Sequence, residues 1–171
     1  MGDIPGSGKE NKFMEPKTTG TSDTGISLVK EHEGFRNAGY FATEDETKEG
    51  LVTVGYGSTG RVAHGEQVDD ATADQFLRED LQTAEDAVRR LVTAPLEQNQ
   101  FDALVSLVFN VGEGNFGKSK ALEALNTGDL DKFKFEAFSE SHGFTKQNGK
   151  VLGGLVKRRA AEQKLFEGVV A

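Results

Sequence analysis

From Asp70 onward apolar residues return every three or four positions, at Ala73, Phe76, Leu77, Leu81, Ala84, Val88, Leu91 and Val92. That spacing lines one face of a helix. The run stops before Pro95, and the pattern predicts a long helix ending there. A second helix is predicted from about Gln98 through Phe101, Leu104, Val105 and Val108 to Gly112. Its apolar residues cover most of the circumference, as expected of a buried helix. Shorter helical stretches fit Ser119 to Leu125, Leu130 to Phe138 and Leu155 to Phe166, punctuated by Gly128, Gly149, Gly153 and Gly154. Near the start, Ile26, Leu28 and Val29 follow two capping candidates, Ser22 and Asp23, and precede Gly34, which predicts a short amphipathic helix. Between these helical regions lie Gly39-Tyr-Phe-Ala-Thr and Leu51-Val-Thr-Val-Gly-Tyr-Gly, aromatic and β-branched runs separated by the acidic stretch from Glu44 to Glu49. A β-hairpin with a long, charged turn is the direct reading.

The pattern predicts an α+β fold, mostly α. A small hairpin lobe (23–70) is joined by a long helix (71–94) to a helical lobe (95–171), with a cleft between the lobes. The hydrophobic centre falls around Phe101 to Val111. Residues 1–22 are rich in Gly, Ser, Thr, Lys and Pro, show no apolar periodicity, and read as a flexible arm rather than a secretory signal. The 171 residues contain no cysteine, which excludes disulfide scaffolds, thiol nucleophiles and thiolate metal sites. Mean hydropathy is -0.50, and no run reaches the roughly 20 apolar residues a membrane span needs. The net charge of -8 is concentrated in residues 23–100, with 7 basic against 16 acidic residues, whereas residues 101–171 carry 10 basic and 9 acidic. Such a chain lacks the basic face of a nucleic-acid binder.

Glu33 stands at the end of an apolar helix beside the expected cleft, where partial desolvation would suit a general acid, although a solvated helix-end carboxylate is the plainer alternative. His32, His64 and His142 are isolated and have no partner at a metal-ligand spacing, so no metal or other cofactor is expected. The context of Glu33 is more specific: Glu33-Gly-Phe-Arg-Asn-Ala-Gly-Tyr40 followed by Thr53-Val-Gly-Tyr-Gly-Ser-Thr-Gly60. Downstream come Gln98-Asn-Gln-Phe-Asp-Ala-Leu-Val-Ser-Leu-Val-Phe-Asn-Val-Gly112, then Leu125-Asn-Thr-Gly-Asp, then Gly149-Lys-Val-Leu-Gly-Gly-Leu-Val-Lys-Arg-Arg-Ala-Ala-Glu162. In that order, and over nearly everything from about residue 24 to 167, these blocks resemble the phage-type lysozymes, which include phage endolysins.

The resemblance implies a soluble muramidase that cleaves the β-1,4 bond between N-acetylmuramic acid and N-acetylglucosamine in bacterial peptidoglycan and so lyses the host cell. Glu33 then matches the general acid and Thr53 the hairpin threonine beside the attacking water. The family's Asp, nine residues after the Glu, is replaced by Ala42, and twelve residues separate Tyr40 from Thr53. If the first strand continues past Ala42, Glu44 falls on the same face and is the expected substitute carboxylate, with Asp45 the next candidate. Two other outcomes of Ala42 are a lytic transglycosylase working with Glu33 alone and a wall-binding domain without activity. Tyr40, Phe35 and Tyr56 are candidates to pack against sugar faces, though aromatic residues beside a hairpin more often belong to the core. Asn110 matches a cleft-lining position, with a helix-end hydrogen bond as its alternative. Of Lys157, Arg158 and Arg159, one is expected to tie helices together or sit in solvent rather than touch substrate. The implied life of the protein is in the host cytoplasm until lysis, or carried in the virion, and then on the cell wall. It would act as a monomer, with a holin-like partner giving access to the wall and no stable membrane insertion.

Overall fold

The computed structural model describes residues 19–169. Most of the arm expected over 1–22 lies outside that range, but its last residues are anchored. Thr21 donates from both backbone and hydroxyl to Glu85, Ser22 does the same to Asp102, and Gln98 donates to Gly20 O. The ordered chain therefore includes Gly20, earlier than the capping pattern suggested.

Helix α1 (Asp23–Glu33) is capped by Ser22 and ends at Gly34, as the sequence predicts. The small lobe that follows contains β1 (Arg36–Tyr40), α2 (Glu44–Glu49), β2 (Thr53–Gly55) and β3 (Ser58–Thr59). Its strands form an antiparallel sheet in the order β1-β2-β3, with Tyr40 opposite Thr53 and Thr53 opposite Thr59. Directly opposed residues project on the same face of a sheet, so these three side chains form one row. On its other side β1 is bonded to the segment after β3, through Gly39 N to Glu66 O and Val68 N to Asn37 O.

The acidic stretch differs from the expected turn. It is a helix, α2, because Thr43 accepts a hydrogen bond from Glu46 N at the helix start and Gly50 closes the end in the left-handed conformation. Thr43-x-x-Glu46 has the spacing of a capping box, a sequence signal that outweighed the strand reading. Strand β1 stops at Tyr40, so Glu44 is not carried along its face. Instead Glu44 occupies the exposed first turn of α2.

Helix α3 (Asp70–Leu91) joins the sheet to a helical lobe of α4 (Gln98–Val111), α5 (Glu113–Gly117), α6 (Lys120–Asn126), α7 (Leu130–Phe138) and α8 (Gly153–Phe166). A two-stranded ribbon, β4 (Lys146–Gln147) and β5 (Lys150–Val151), precedes α8. Its turn is Asn148-Gly149, both at positive φ, the usual signature of a tight hairpin. Helix α4 supplies the centre of the core: Phe101, Ala103, Leu104, Val105, Leu107 and Val108 are buried. Helices α1, α3 and α8 pack around it. The expected α+β, helix-dominated architecture is thus the observed one, and α1 delivers its C-terminal residue, Glu33, between the hairpin and α8.

Candidate active site

Glu33 reaches its position because α1 ends there and α8 supplies a fixed cation. Arg158 Nη1 donates to Glu33 Oε1 at 2.6 Å, with 5% of the Arg158 side chain and 25% of the Glu33 side chain exposed. The guanidinium is itself held by Glu162 Oε1 at 3.2 Å and by Ser106 O of α4 at 3.3 Å. Glu162 is wholly buried and accepts from Ser106 Oγ at 2.7 Å and Arg159 Nη2 at 3.0 Å. Arg159 Nε lies 2.8 Å from Glu162 Oε2 as an ion pair without hydrogen-bond alignment. Burial pushes the Glu162 carboxyl up from its ordinary range against the opposing pull of Arg159 and Arg158. Burial likewise lowers the Arg159 guanidinium from its usual value. Arg158 thus links Glu33 to the buried Arg159–Glu162 pair, and Glu33 is the member of this network that reaches solvent.

Opposite Glu33 stands the β2–β3 turn. Gly57 has φ +99°, and a Cβ at that position would lie 4.0 Å from Glu33 Oε2. Behind the turn, Thr53 is buried, and its Oγ1 is 3.0 Å from Thr59 Oγ1 and donates to Glu46 Oε2 at 3.0 Å. Glu46 Oε2 also accepts from Ala42 N at 2.8 Å. The hairpin thus brings a carboxylate to Thr53 from α2. It is Glu46, which sequence reasoning passed over, rather than Glu44.

A family model described as "Phage lysozyme" matches residues 30–162. The chain belongs to the phage lysozyme family. By family it is a glycoside hydrolase of the muramidase type. It is 39% identical over 148 residues to the endolysin of Acyrthosiphon pisum secondary endosymbiont phage 1, covering 85% of this chain and 97% of that one. It is 41% identical over 146 residues to the endolysin of Bacillus phage B103, covering 85% of this chain but only 53% of the relative, so the chain spans about half of that protein. Among solved structures, the muramidase domain of SpmX from Asticaccaulis excentricus superposes with a TM-score of 0.74 at 39% identity, covering 85% of this chain and 96% of that domain.

The other residues that resemblance to phage lysozymes singled out have distinct surroundings. Tyr40 is half-buried beneath the Arg36 guanidinium, 4.5 Å from its ring centroid. Phe35 is exposed, and its ring lies 5.3 Å from that of Tyr56. Tyr56 is buried. Its hydroxyl donates to Asp70, and Lys30 sits 4.9 Å over its ring, so it fastens the hairpin to α1 and α3. Burial and Asp70 hold the Tyr56 phenol above its ordinary range. Asn110 accepts from Arg159 Nη2 at 2.9 Å and, with Glu33, His32, Leu155 and Arg158, lines a hollow of about 600 Å³. A larger hollow, about 890 Å³, lies between α1, the start of α4 and α8 and includes none of these predicted site residues. Arg158 and Arg159 take the helix-tying role anticipated for the basic cluster, and Lys157 is exposed. Arg158's contact with Glu33 had no signal in the sequence beyond the family block.

Proposed function

We propose that the protein is an endolysin-type muramidase that hydrolyses the β-1,4 bond between N-acetylmuramic acid and N-acetylglucosamine in bacterial peptidoglycan. The observation that carries this reading is Glu33 at the end of α1, clamped by Arg158 and facing the Gly57 turn, with the Thr53 row behind it. In the reaction, the Glu33 carboxyl gives its proton to the glycosidic oxygen as the bond to the sugar's C1 breaks. Arg158 fixes the carboxyl's direction through Oε1 and leaves Oε2 towards the hairpin side, where the sugar chain would cross. Thr53 orients the water that attacks C1. Phe35, exposed beside Glu33, offers an apolar face to a sugar ring, and Asn110 offers an amide at the other wall. Tyr56, buried and bonded to Asp70, contributes to shape rather than contact.

Ala42 favours a second reading. A lytic transglycosylase needs no carboxylate to activate water, because the sugar's own 6-hydroxyl attacks and leaves a 1,6-anhydro end. The products differ by the mass of one water. Purified peptidoglycan digested by the protein and analysed by mass should release fragments with hydrated reducing ends. Anhydro ends would replace the hydrolase with the transglycosylase. Glu33→Gln should abolish clearing in either case. If that variant clears walls as fast as the parent, Glu33 is not the acid and the reading fails. A domain that only binds walls would sediment with them and release nothing.

Among the described residues no helix is long and apolar enough to cross a membrane. We further propose that the protein acts as a monomer on the wall and depends on a holin-like protein to reach it from the host cytoplasm.

A further inference from the structure

We propose that Glu46 is the second catalytic carboxylate, the base that takes the proton from the attacking water. This rests on the muramidase reading and specifies its missing half. An inverting glycosidase holds its two carboxyl groups about 6.5 to 9.5 Å apart, with water between the second one and the sugar. At residue 42, where the family carries Asp, there is only a methyl group. Yet Glu46 Oε2 accepts from Ala42 N at 2.8 Å, so a carboxylate is held against the backbone of residue 42 itself. Helix α2 thereby brings a carboxylate both to the segment that carries Ala42 and to Thr53 on β2.

A capping role alone does not account for this placement. In a closed capping box the glutamate at the third helical position turns back to the backbone N–H of the capping residue, here Thr43. The Glu46 carboxylate instead contacts the residue before Thr43 and crosses to Thr53 Oγ1 on β2 at 3.0 Å. Thr53 spends its single hydroxyl proton on Glu46, so in the 3.0 Å contact with Thr59 the proton comes from Thr59. One lone pair of Thr53 Oγ1 is left to accept from a water. Both contacts of the carboxylate go to Oε2, which leaves Oε1 to receive the water's other proton. As the water oxygen bonds to C1, that O–H bond breaks and its proton passes to Glu46. The C1–oxygen bond to the neighbouring sugar breaks, and the leaving oxygen takes the proton of Glu33. Exchange with solvent then returns both carboxyl groups to their starting states.

Glu46→Gln separates base from cap, because the amide keeps an acceptor oxygen for Ala42 N and Thr53 but takes no proton. Turnover on purified peptidoglycan should fall by about 10²- to 10⁴-fold, with melting temperature and sedimentation with walls unchanged. Adding Ala42→Asp to that variant should restore clearing. With Glu46→Ala, azide, which needs no base, should restore bond cleavage and give a glycosyl azide visible by mass. Clearing by Glu46→Gln at the parent rate overturns the proposal. So does loss of clearing that tracks a lowered melting temperature and yields no azide product, which would make Glu46 a helix cap. Glu33→Gln distinguishes the levels: if it is inactive while Glu46→Gln is not, only the role of Glu46 falls, whereas an active Glu33→Gln removes the muramidase reading itself.

Discussion

Two glycines shape the wall of the cleft that faces Glu33. Gly57 combines φ +99° with an open approach to the Glu33 carboxylate. Gly55 adopts φ +64°, and a Cβ there would meet the Ala73 Cβ at 2.8 Å, closer than side chains tolerate. Gly55→Ala would therefore impose left-handed strain of about 1–3 kcal/mol and also push β2 off α3. A drop in unfolding free energy of that size or more, read by denaturant titration, is expected, and an unchanged midpoint would show that the hairpin shifts freely against α3. At this scale the sequence was legible where a residue's type and its place in an element agree. Glu33 closes an apolar helix, and Thr53 lies in a β-branched strand. Glu46 was not legible, because its function depends on a side chain leaving its own helix for another strand. The choice of Glu44 followed from extending β1 past Tyr40, which the Thr43 cap prevents.

Long elements declared themselves and short ones did not. Helices α3, α4 and α7 carry enough turns, or a clear enough apolar pattern, for the helical period to emerge. Five-residue α5 holds little more than one helical turn and the two-residue strands β4 and β5 a single alternation, too little for a period to emerge, though Asn148-Gly149 is a readable turn. Helix α8 shows a different limit. Its most buried side chains include Arg158, Arg159 and Glu162, so a hydrophobic pattern undervalues the face that matters. That face joins α8 to α4 through Ser106 and Asn110, and to α1 through Glu33. Removing Glu162 would leave two buried guanidinium groups opposed only by Glu33. Breaking such a pair typically costs about 3–5 kcal/mol, and Glu162→Ala is expected to lose stability on that scale. Peptidoglycan clearing per folded molecule should fall too, since Arg158 loses one of its supports. Full activity in the folded fraction would show that Ser106 alone directs Arg158 to Glu33.

Charge pairs bind α1 and the hairpin to the connecting helix, and this gives stability a defined pH dependence. Lys30 of α1 lies 2.6 Å from Asp74 of α3, which also receives Arg78 at 2.7 Å, while Arg61 after the hairpin reaches Glu79 and Asp80. The hydrogen bonds from Lys30 and then Arg78 hold the Asp74 carboxyl below its ordinary value of 3.8. Its contribution is therefore present above pH 3.8 and is lost as pH falls through the lower, folded value. The same pairing raises Lys30 above 10.5, so its share is present below that pH and is lost in stronger alkali. His32 behaves differently. Burial, then the nearby Arg158, holds it below 6.5, and its Nε2 is enclosed without a partner. Between its folded value and 6.5 the unfolded chain binds a proton that the native protein does not, so stability declines as pH drops from neutrality. Thermal melts should show two acid limbs, a shallow one beginning near pH 6.5 and a second below pH 3.8. His32→Gln should flatten the first and spare the second, and Asp74→Asn should do the reverse. A first limb that persists in His32→Gln would move the neutral-range titration to another group. Because His32 adjoins Glu33 and faces the same arginine, that limb also marks where acid begins to disturb the clamp on the Glu33 carboxyl, and loss of clearing in this range should then accompany the first fall in melting temperature.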